Sequence, residues 1–505
     1  MRLSPLDLAI LAAYLGGITW FGMRFRRGQQ NIRDYFLGGR SAPWWALSFS
    51  IVATETSTLT IIGTPALAFA GNLGFLQLVF GYLTGRVVLA LLFVPRFFRG
   101  EFYTAYQLIE RRFGARMKSV AAATFLVTRA LAEGVRIAAI AKVVSVAFGT
   151  DTRLSVLLVM GLTLAYTFEG GMKAVIWTDV VQLVLYLTGS LAAFALLLHR
   201  IPGGWAEVTQ AAAAAGGKFR IFDFTLDLTR TYTFWSGLIG GTFLVMATHG
   251  TDQSIVQRIL AARSERQGKA ALLSSGVIIF VQFTLFLVLG VMLWVFHQHS
   301  PLIGAGGDPD RIFPEFVVRE MPAGLKGLVL AAICAVAMSN ASGSLNSMAA
   351  SSVVDFLRLR GRQADPARVL QLSRWATLAW GLVLLALGML RWRGVLEAGL
   401  TIASITFGSL LGLFLLGFLN RRATPNGALA GMIAGLLLLL YMNRGARLAG
   451  FLLQHNLAVW LAHALLRFKF LTLVAWPWYV LTGTAATFAV GSLWSLFSRS
   501  TPQKP

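Results

Sequence analysis

Residues 51–65 read IVATETSTLTIIGTP, a polar stretch inside an apolar run that extends over residues 44–69. The run is long enough to cross a bilayer, because an α-helix rises about 1.5 Å per residue and the hydrocarbon core is about 30 Å thick. Residues 54–60 are mostly hydroxyl-bearing, include Glu55 and are followed by glycine and proline, so a continuous helix is disfavoured. In lipid, such polar groups survive only against protein or a water-filled cavity. The stretch therefore predicts a broken transmembrane helix at a functional site.

A second apolar run, residues 233–256, is interrupted in the same way. Three glycines precede the polar segment 246–253, which reads MATHGTDQ. Two broken helices five spans apart, at corresponding positions of two halves, are typical of an inverted-repeat transporter with its site near the bilayer midplane. The glycines alone could serve close helix packing. Packing does not explain Glu55 or Asp252, however.

The composition of the whole chain indicates a membrane protein. Of its 505 residues, 56% are hydrophobic and only 13% are charged. Apolar runs of about 18 residues or more recur along its length, each long enough to span a bilayer. The sequence predicts thirteen spans, at residues 5–24, 44–69, 75–97, 119–148, 154–169, 174–198, 233–256, 271–297, 325–356, 370–390, 395–419, 425–442 and 472–496. We interpret residues 443–471, which contain an amphipathic stretch, as an interfacial segment.

The chain is basic, with 44 Lys and Arg residues against 21 Asp and Glu. The basic residues lie mainly in short loops, such as 24–40, 111–118, 258–269 and 358–368, which is the positive-inside pattern of membrane proteins. Placing these loops in the cytoplasm puts the N-terminus outside and the C-terminus inside. We therefore predict a multi-pass protein of a bacterial inner membrane with no nucleic-acid partner. Cys334 is the only cysteine, which excludes an intramolecular disulfide and a cysteine-based metal cluster.

A third polar cluster, residues 339–347 with the sequence SNASGSLNS, lies inside the ninth predicted span. Ser339 and Ser342 are three residues apart and share a helical face. A dehydrated hard cation needs about five or six oxygen ligands, which hydroxyls and carbonyls freed by a broken helix can supply. Small-residue packing is the alternative for any single serine. The density of the cluster favours ion ligation.

These motifs resemble those of the solute:sodium symporter family, the sodium/glucose cotransporter type with a LeuT-like core. The resemblance rests on four segments in order along the chain: Asp34 to Ser41 (DYFLGGRS) with Trp44 and Trp45, Gly170 to Asp179 (GGMKAVIWTD), Gln253 with Gln257 and Arg258, and Arg422 with Pro425, Gly427 and Gly431. Phe418 departs from the family pattern, which usually has a smaller aliphatic residue at that position.

The resemblance implies an all-α polytopic membrane protein with a core of two inverted five-helix repeats. Residues 1–43 would form a first helix and basic loop, 44–232 the first repeat with an outer loop, 233–419 the second repeat, and 420–505 two C-terminal helices with the interfacial segment between them.

The resemblance also implies sodium sites. The first would be formed by the backbone carbonyls of Ala53, Thr56 and Val336, the side chain of Ser339, and Asn340, which stands where the family commonly has a second serine. A possible second sodium site would use Asp179 and Ser342 with Ser339, although Gly343 replaces a hydroxyl there. An acid at a helix start could instead complement the helix dipole.

The geometry of the family's core also implies that the solute contacts residues beside the two helix breaks. The predicted solute-binding residues are Thr60, Phe75, Gln77, Thr248, His249 and either Arg129 or Arg136. An arginine inside the membrane is costly unless it is paired, which makes an anionic solute attractive. Glu133 or Glu55 could serve as the partner instead.

The sequence thus predicts a secondary transporter that carries a small polar or anionic organic solute together with Na⁺ by alternating access. A proton-coupled symporter, titrating Glu55, Glu133 or Asp179, and a solute sensor on the same fold are the alternatives. No H-E-x-x-H, G-x-S-x-G or ATP-binding G-x-x-x-x-G-K-[ST] motif occurs, so neither an enzyme nor an ATP-driven pump is expected. Beyond solute, sodium and lipid, we predict no obligate protein partner.

Overall fold

The computed structural model describes residues 3–148, 151–302, 311–356, 366–390, 395–455 and 457–498. Within these ranges the chain is helical and has no β-strand, apart from an isolated bridge between Ala42 and Ala262. The predicted all-α class is confirmed.

Twenty α-helices follow one another along the described chain. In the first half they are α1 Pro5–Met23, α2 Ile32–Leu37, α3 Trp44–Glu55, α4 Thr58–Ala70, α5 Leu76–Leu92, α6 Val94–Phe98, α7 Tyr106–Phe113, α8 Ala115–Phe148, α9 Thr152–Arg200 and α10 Gly204–Ala214. In the second half they are α11 Gly241–Gly250, α12 Gln253–Leu260, α13 Glu265–His299, α14 Ile312–Glu320, α15 Leu325–Ser351, α16 Pro366–Gly388, α17 Val395–Leu419, α18 Pro425–Gln454, α19 Val459–Arg467 and α20 Tyr479–Phe497.

Both predicted helix breaks are present. Helices α3 and α4 meet at an angle of 64° across Thr56 and Ser57. The second break separates α11 from α12 at Thr251, whose backbone leaves the helical region, and Asp252 then caps α12 by accepting the Ser254 N–H at 2.8 Å. Each break therefore frees backbone groups that a continuous helix would occupy.

Eight helices of the described residues are long and apolar enough to cross a membrane, and the bent α3–α4 pair makes a ninth. The count of thirteen spans stays a prediction. One of the eight, α9, contains two predicted spans, 154–169 and 174–198. At about 1.5 Å per residue its 49 residues would cover roughly 74 Å, more than twice a hydrocarbon core. Gly171, with φ 54° and ψ −152°, interrupts the helix between those two spans.

The end of α18 differs from the prediction. The helix continues past residue 442 to Gln454, because residues 443–454 contain good helix formers and no proline. Only the short α19 remains of the predicted interfacial helix, and the Tyr441 hydroxyl donates to the Leu465 carbonyl at 2.5 Å, which ties α19 back to α18.

Helix α15 lies at the centre of the bundle. All its residues from Val329 to Ser351 are buried, and it packs against α1, α8 and α9. Helix α3 also contacts α15, so the break after Glu55 faces the polar cluster at 339–347.

Candidate ion and solute site

The end of α3 presents free backbone carbonyls to α15. Thr56 is extended, with ψ 121°, and Ser57 begins α4 by capping the Thr60 N–H at 3.3 Å. The Thr60 hydroxyl in turn accepts the Ser57 N–H at 3.2 Å, so this predicted solute residue is a helix cap in the structure.

Residues of the predicted first sodium site lie together. Asn340 on α15 donates its side-chain N–H groups to the carbonyl of Thr56 at 2.8 Å and to that of Val336 at 3.0 Å. Ala53 is fully buried one turn before Thr56. The amide nitrogen, and not the oxygen, thus faces the two carbonyls that were predicted to hold the ion.

Two hydrogen bonds from other helices hold the Thr56 side chain in place. Its hydroxyl accepts hydrogen bonds from Tyr186 at 3.1 Å and from the Gln282 amide at 2.8 Å. Tyr186 and Gln282 were not predicted as site residues. They fix the position of the break by bonding to the residue at its centre.

The predicted second sodium site contains an internal cation. Asp179 is fully buried. Its Oδ1 atom accepts a hydrogen bond from Ser339 at 2.6 Å, and its Oδ2 atom accepts from Ser50 at 2.5 Å and lies 2.8 Å from the Arg258 guanidinium. Ser342 donates instead to the Ser339 carbonyl, at 3.0 Å.

Gly343 provides the space for this guanidinium. A Cβ atom at Gly343 would lie 2.8 Å from the Arg258 Nη2 atom, so a side chain there would displace the guanidinium. The sequence placed Arg258 in a family motif and at the start of the basic loop 258–269. The loop assignment is wrong for Arg258, which lies in α12 and is 1% exposed. The signal for its role was an arginine at the end of a membrane span, which requires a buried anion.

Another buried cluster connects the two helix breaks. Arg86 on α5 pairs with Glu55 at the end of α3 and lies 3.2 Å from the His249 Nε2 atom on α11. The His249 Nδ1 atom is 2.9 Å from the Thr248 hydroxyl, and Arg86 also donates to Ser275 at 3.1 Å. Arg86 was missed by the prediction, although a lone arginine inside the apolar run 75–97 is the same signal as Arg258.

Two arginines in the middle of α8, Arg129 and Arg136, are paired within the protein. Arg129 lies 3.2 Å from Asp252 and 3.6 Å from Glu133. Arg136 lies 3.5 Å from Glu133 and donates to the Asn340 side-chain oxygen at 3.4 Å. An intramembrane arginine therefore does not by itself require an anionic solute here, because acidic side chains already serve as partners.

Phe75 and Gln77 lie under an outer loop. The Phe75 ring contacts Tyr232 and Phe283, at centroid distances of 5.7 Å and 5.0 Å. The Gln77 amide accepts the Asp223 N–H at 2.9 Å and donates to the Tyr232 carbonyl at 3.2 Å. In this structure Gln77 anchors the loop.

Eight charged side chains around the two helix breaks form ion pairs with one another. The cations are Arg86, Arg129, Arg136 and Arg258, and the anions are Glu55, Glu133, Asp179 and Asp252. Every arginine of this set lies within 3.6 Å of a carboxylate of the set. Such pairing is what makes buried charges tolerable in a low-dielectric interior.

The chain matches a known protein family and is similar to sodium-coupled transporters. The sequence profile described as "Sodium:solute symporter family" matches residues 35–435. The human sodium/iodide cotransporter is 33% identical over 440 residues, which cover 85% of this chain and 67% of that protein. The sodium/sialic acid symporter of Proteus mirabilis is 29% identical over 441 residues, covering 85% and 87% of the two chains.

Two solved structures resemble the fold. A Na⁺-coupled sialic acid symporter in a substrate-bound, outward-open state superimposes with a TM-score of 0.84 at 25% identity, over 98% of each chain. A nucleobase-cation-symport-1 family transporter matches with a TM-score of 0.53 at 14% identity, over 93% of this chain and 95% of that one. The second likeness concerns the fold alone.

Proposed function

Because the chain belongs to the sodium:solute symporter family, we propose that it carries an anionic solute, one sodium ion per monoanion. The protein is a LeuT-like, membrane-embedded, multi-pass transporter and not an enzyme. It couples solute entry to sodium by alternating access. The solute, the stoichiometry and the residues that bind each ion are the proposal.

The balance of buried charges carries the proposal of an anion. Four arginines pair with four carboxylates around the helix breaks, so this set of side chains has no net charge before the ions bind. A sodium ion adds one positive charge to a region of low dielectric constant, and this charge is costly unless it is compensated. A monoanion compensates it, and the loaded carrier is then neutral again.

The names of several relatives specify an anionic solute. One relative carries iodide and two carry sialic acid, and human sodium-coupled monocarboxylate transporter 2 is 28% identical over 437 residues, which cover 85% of this chain. Carboxylic acids are ionised at neutral pH.

The proposed sodium site consists of Ala53, Thr56, Val336, Ser339 and Asn340. Its ligands are neutral oxygens, which suit an ion that must be bound and released in every cycle. The pair between Asp179 and Arg258 supports a single sodium ion, since the carboxylate of the possible second site already has a cationic partner.

The location and organisation also belong to this proposal. The relatives include bacterial symporters, which supports a bacterial inner membrane, with the N-terminus outside and no obligate protein partner. Residues 44–232 and 233–419 would form the two inverted repeats.

A melting screen of the purified protein tests the solute class. Iodide, lactate and sialic acid are each added in sodium chloride and in choline chloride, with lactate methyl ester and glucose as uncharged controls. We expect at least one anion to raise the melting temperature, and only in sodium. If glucose or the ester stabilises the protein in sodium and no anion does so, the solute is not an anion.

A further inference from the structure

The side-chain amide of Asn340 connects the proposed sodium site to a buried arginine. Its nitrogen donates to the carbonyls of Thr56 and Val336, while its oxygen accepts from the Arg136 guanidinium at 3.4 Å. The opposite orientation would place the amide oxygen against two carbonyl oxygens and its N–H groups against a cation. The surroundings therefore fix which way the amide points in this structure.

This amide orientation disfavours a sodium ion between the two carbonyls. Each carbonyl gives one of its two lone pairs to the Asn340 side-chain nitrogen, whose N–H groups bring partial positive charge beside the ion. Rotation of the amide by about 180° brings its oxygen to the ion as an additional ligand. The same rotation turns the N–H groups toward Arg136 and replaces an attractive contact by a repulsive one.

We propose that Asn340 couples the two sites: sodium binding turns its amide and thereby releases Arg136 to bind the anionic solute. This inference rests on the sodium site proposed above. Arg136 is suited to the role because its side chain is 28% exposed, whereas those of Arg86, Arg129 and Arg258 are 9% exposed or less. Of the four arginines, Arg136 therefore has the most exposed side chain.

The remaining partner of Arg136 does not hold it tightly. The nearer Glu133 oxygen lies 3.5 Å from Arg136, but it is also 3.6 Å from Arg129 and accepts the Ser344 hydroxyl at 3.0 Å. Once the amide contact is lost, an anion competes with a carboxylate that has two other partners. Linkage requires the converse as well: whatever draws Arg136 away from Asn340 raises the affinity for sodium.

A double-mutant cycle in sodium affinity tests this coupling. The variants are Arg136→Gln, Asn340→Ser and the double substitution, and sodium is titrated against choline at constant ionic strength with intrinsic tryptophan fluorescence as the readout. We expect Arg136→Gln to raise sodium affinity about tenfold in the wild-type background, because turning the amide no longer breaks a hydrogen bond to a charged group. In the Asn340→Ser background the same change should have an effect of less than about twofold.

Two further variants complete the experiment. Arg116→Gln removes the same charge from an exposed position near the start of the same helix, and should leave sodium affinity unchanged. Asn340→Thr repeats the cycle with a second hydroxyl side chain in case the serine variant folds poorly.

The outcomes separate the coupling from the site itself. If Arg136→Gln raises sodium affinity equally with and without Asn340, its effect is a through-space charge effect and the amide does not couple the sites. If the wild type shows no response to sodium, the proposed sodium site is wrong and the coupling falls with it. A coupling near tenfold that vanishes without the amide supports the inference.

Discussion

Asp179 and Arg258 form the most deeply buried ion pair described, with side-chain exposures of 0% and 1%. Asp179→Asn keeps the shape but leaves the guanidinium without a counter-charge. Its single amide oxygen can replace only one of the two carboxylate oxygens, Oδ1 that accepts from Ser339 or Oδ2 that accepts from Ser50. Removing one partner of a buried pair typically costs about 3–5 kcal/mol. We expect a loss within this range, about 4 kcal/mol, because one hydrogen bond to the asparagine oxygen is kept and one is lost.

Asp179 either serves as the partner of Arg258 or ligates sodium. The sodium dependence of the stability loss distinguishes these two roles. As the partner of Arg258, it stabilises the protein whether or not sodium is present. Melting temperatures of the wild type, Asp179→Asn, Arg258→Gln and the double variant, measured in sodium and in choline, should show the same decrease in both salts. The double variant should lose less than the sum of the single losses, since it leaves no unpaired charge. If Asp179→Asn abolishes only the rise in melting temperature that sodium produces, Asp179 ligates sodium and its assignment as the partner of Arg258 is wrong.

Two further predictions concern the scaffold. Gly171→Ala should lower stability by roughly 1–3 kcal/mol, because its φ of 54° is unfavourable for alanine and the added Cβ atom would lie 2.6 Å from the Tyr35 carbonyl oxygen. The melting temperature is the measurement. Gly161→Ala on the same helix is the control, since a Cβ atom there would have no neighbouring atom within 4 Å. Hydrogen bonds from Thr225 hold the pKa of Asp223 below its ordinary value. The stability that Asp223 gives the outer loop is therefore present above about pH 4 and is lost as the pH falls further, so the amide protection factors of residues 218–233, corrected for intrinsic exchange rates, should decrease between about pH 4 and pH 2. Asp223→Asn should remove that decrease, and an unchanged pH profile in the variant would contradict the assignment.

The helix breaks could be predicted from sequence because each leaves a local signal. Six polar residues within residues 54–60 of an apolar run weaken a helix wherever it packs, so Glu55 and its neighbours marked the first break without any tertiary information. The same holds for Asp252 at the second break. The gathering of Thr56, Val336 and Asn340 followed from the family resemblance, and the structure brings these three residues together.

The ion pairs could not be assigned from sequence, since they join distant parts of the chain. Nothing local indicates that Arg258 pairs with Asp179, 79 residues away, or Arg86 with Glu55, 31 residues away. The orientation of the Asn340 amide was also unpredictable. It depends on Arg136, which lies 204 residues away and contacts its oxygen. The continuation of α18 to Gln454 was missed because its polar and glycine residues resembled the start of a loop.

Uptake of an anion into proteoliposomes under an imposed sodium gradient tests the central claim most directly. The anion is the one that the melting screen selects, and the proteins compared are the wild type, Ser339→Ala and Ser342→Ala. Ser339 is a proposed sodium ligand, whereas Ser342 is outside that site and its hydroxyl donates to the Ser339 carbonyl and contacts the Tyr166 hydroxyl. We predict that the sodium gradient drives accumulation in the wild type and in Ser342→Ala, and that Ser339→Ala reduces it by about tenfold or more. Accumulation that ignores sodium, or that a proton gradient alone drives, would contradict sodium-coupled anion symport.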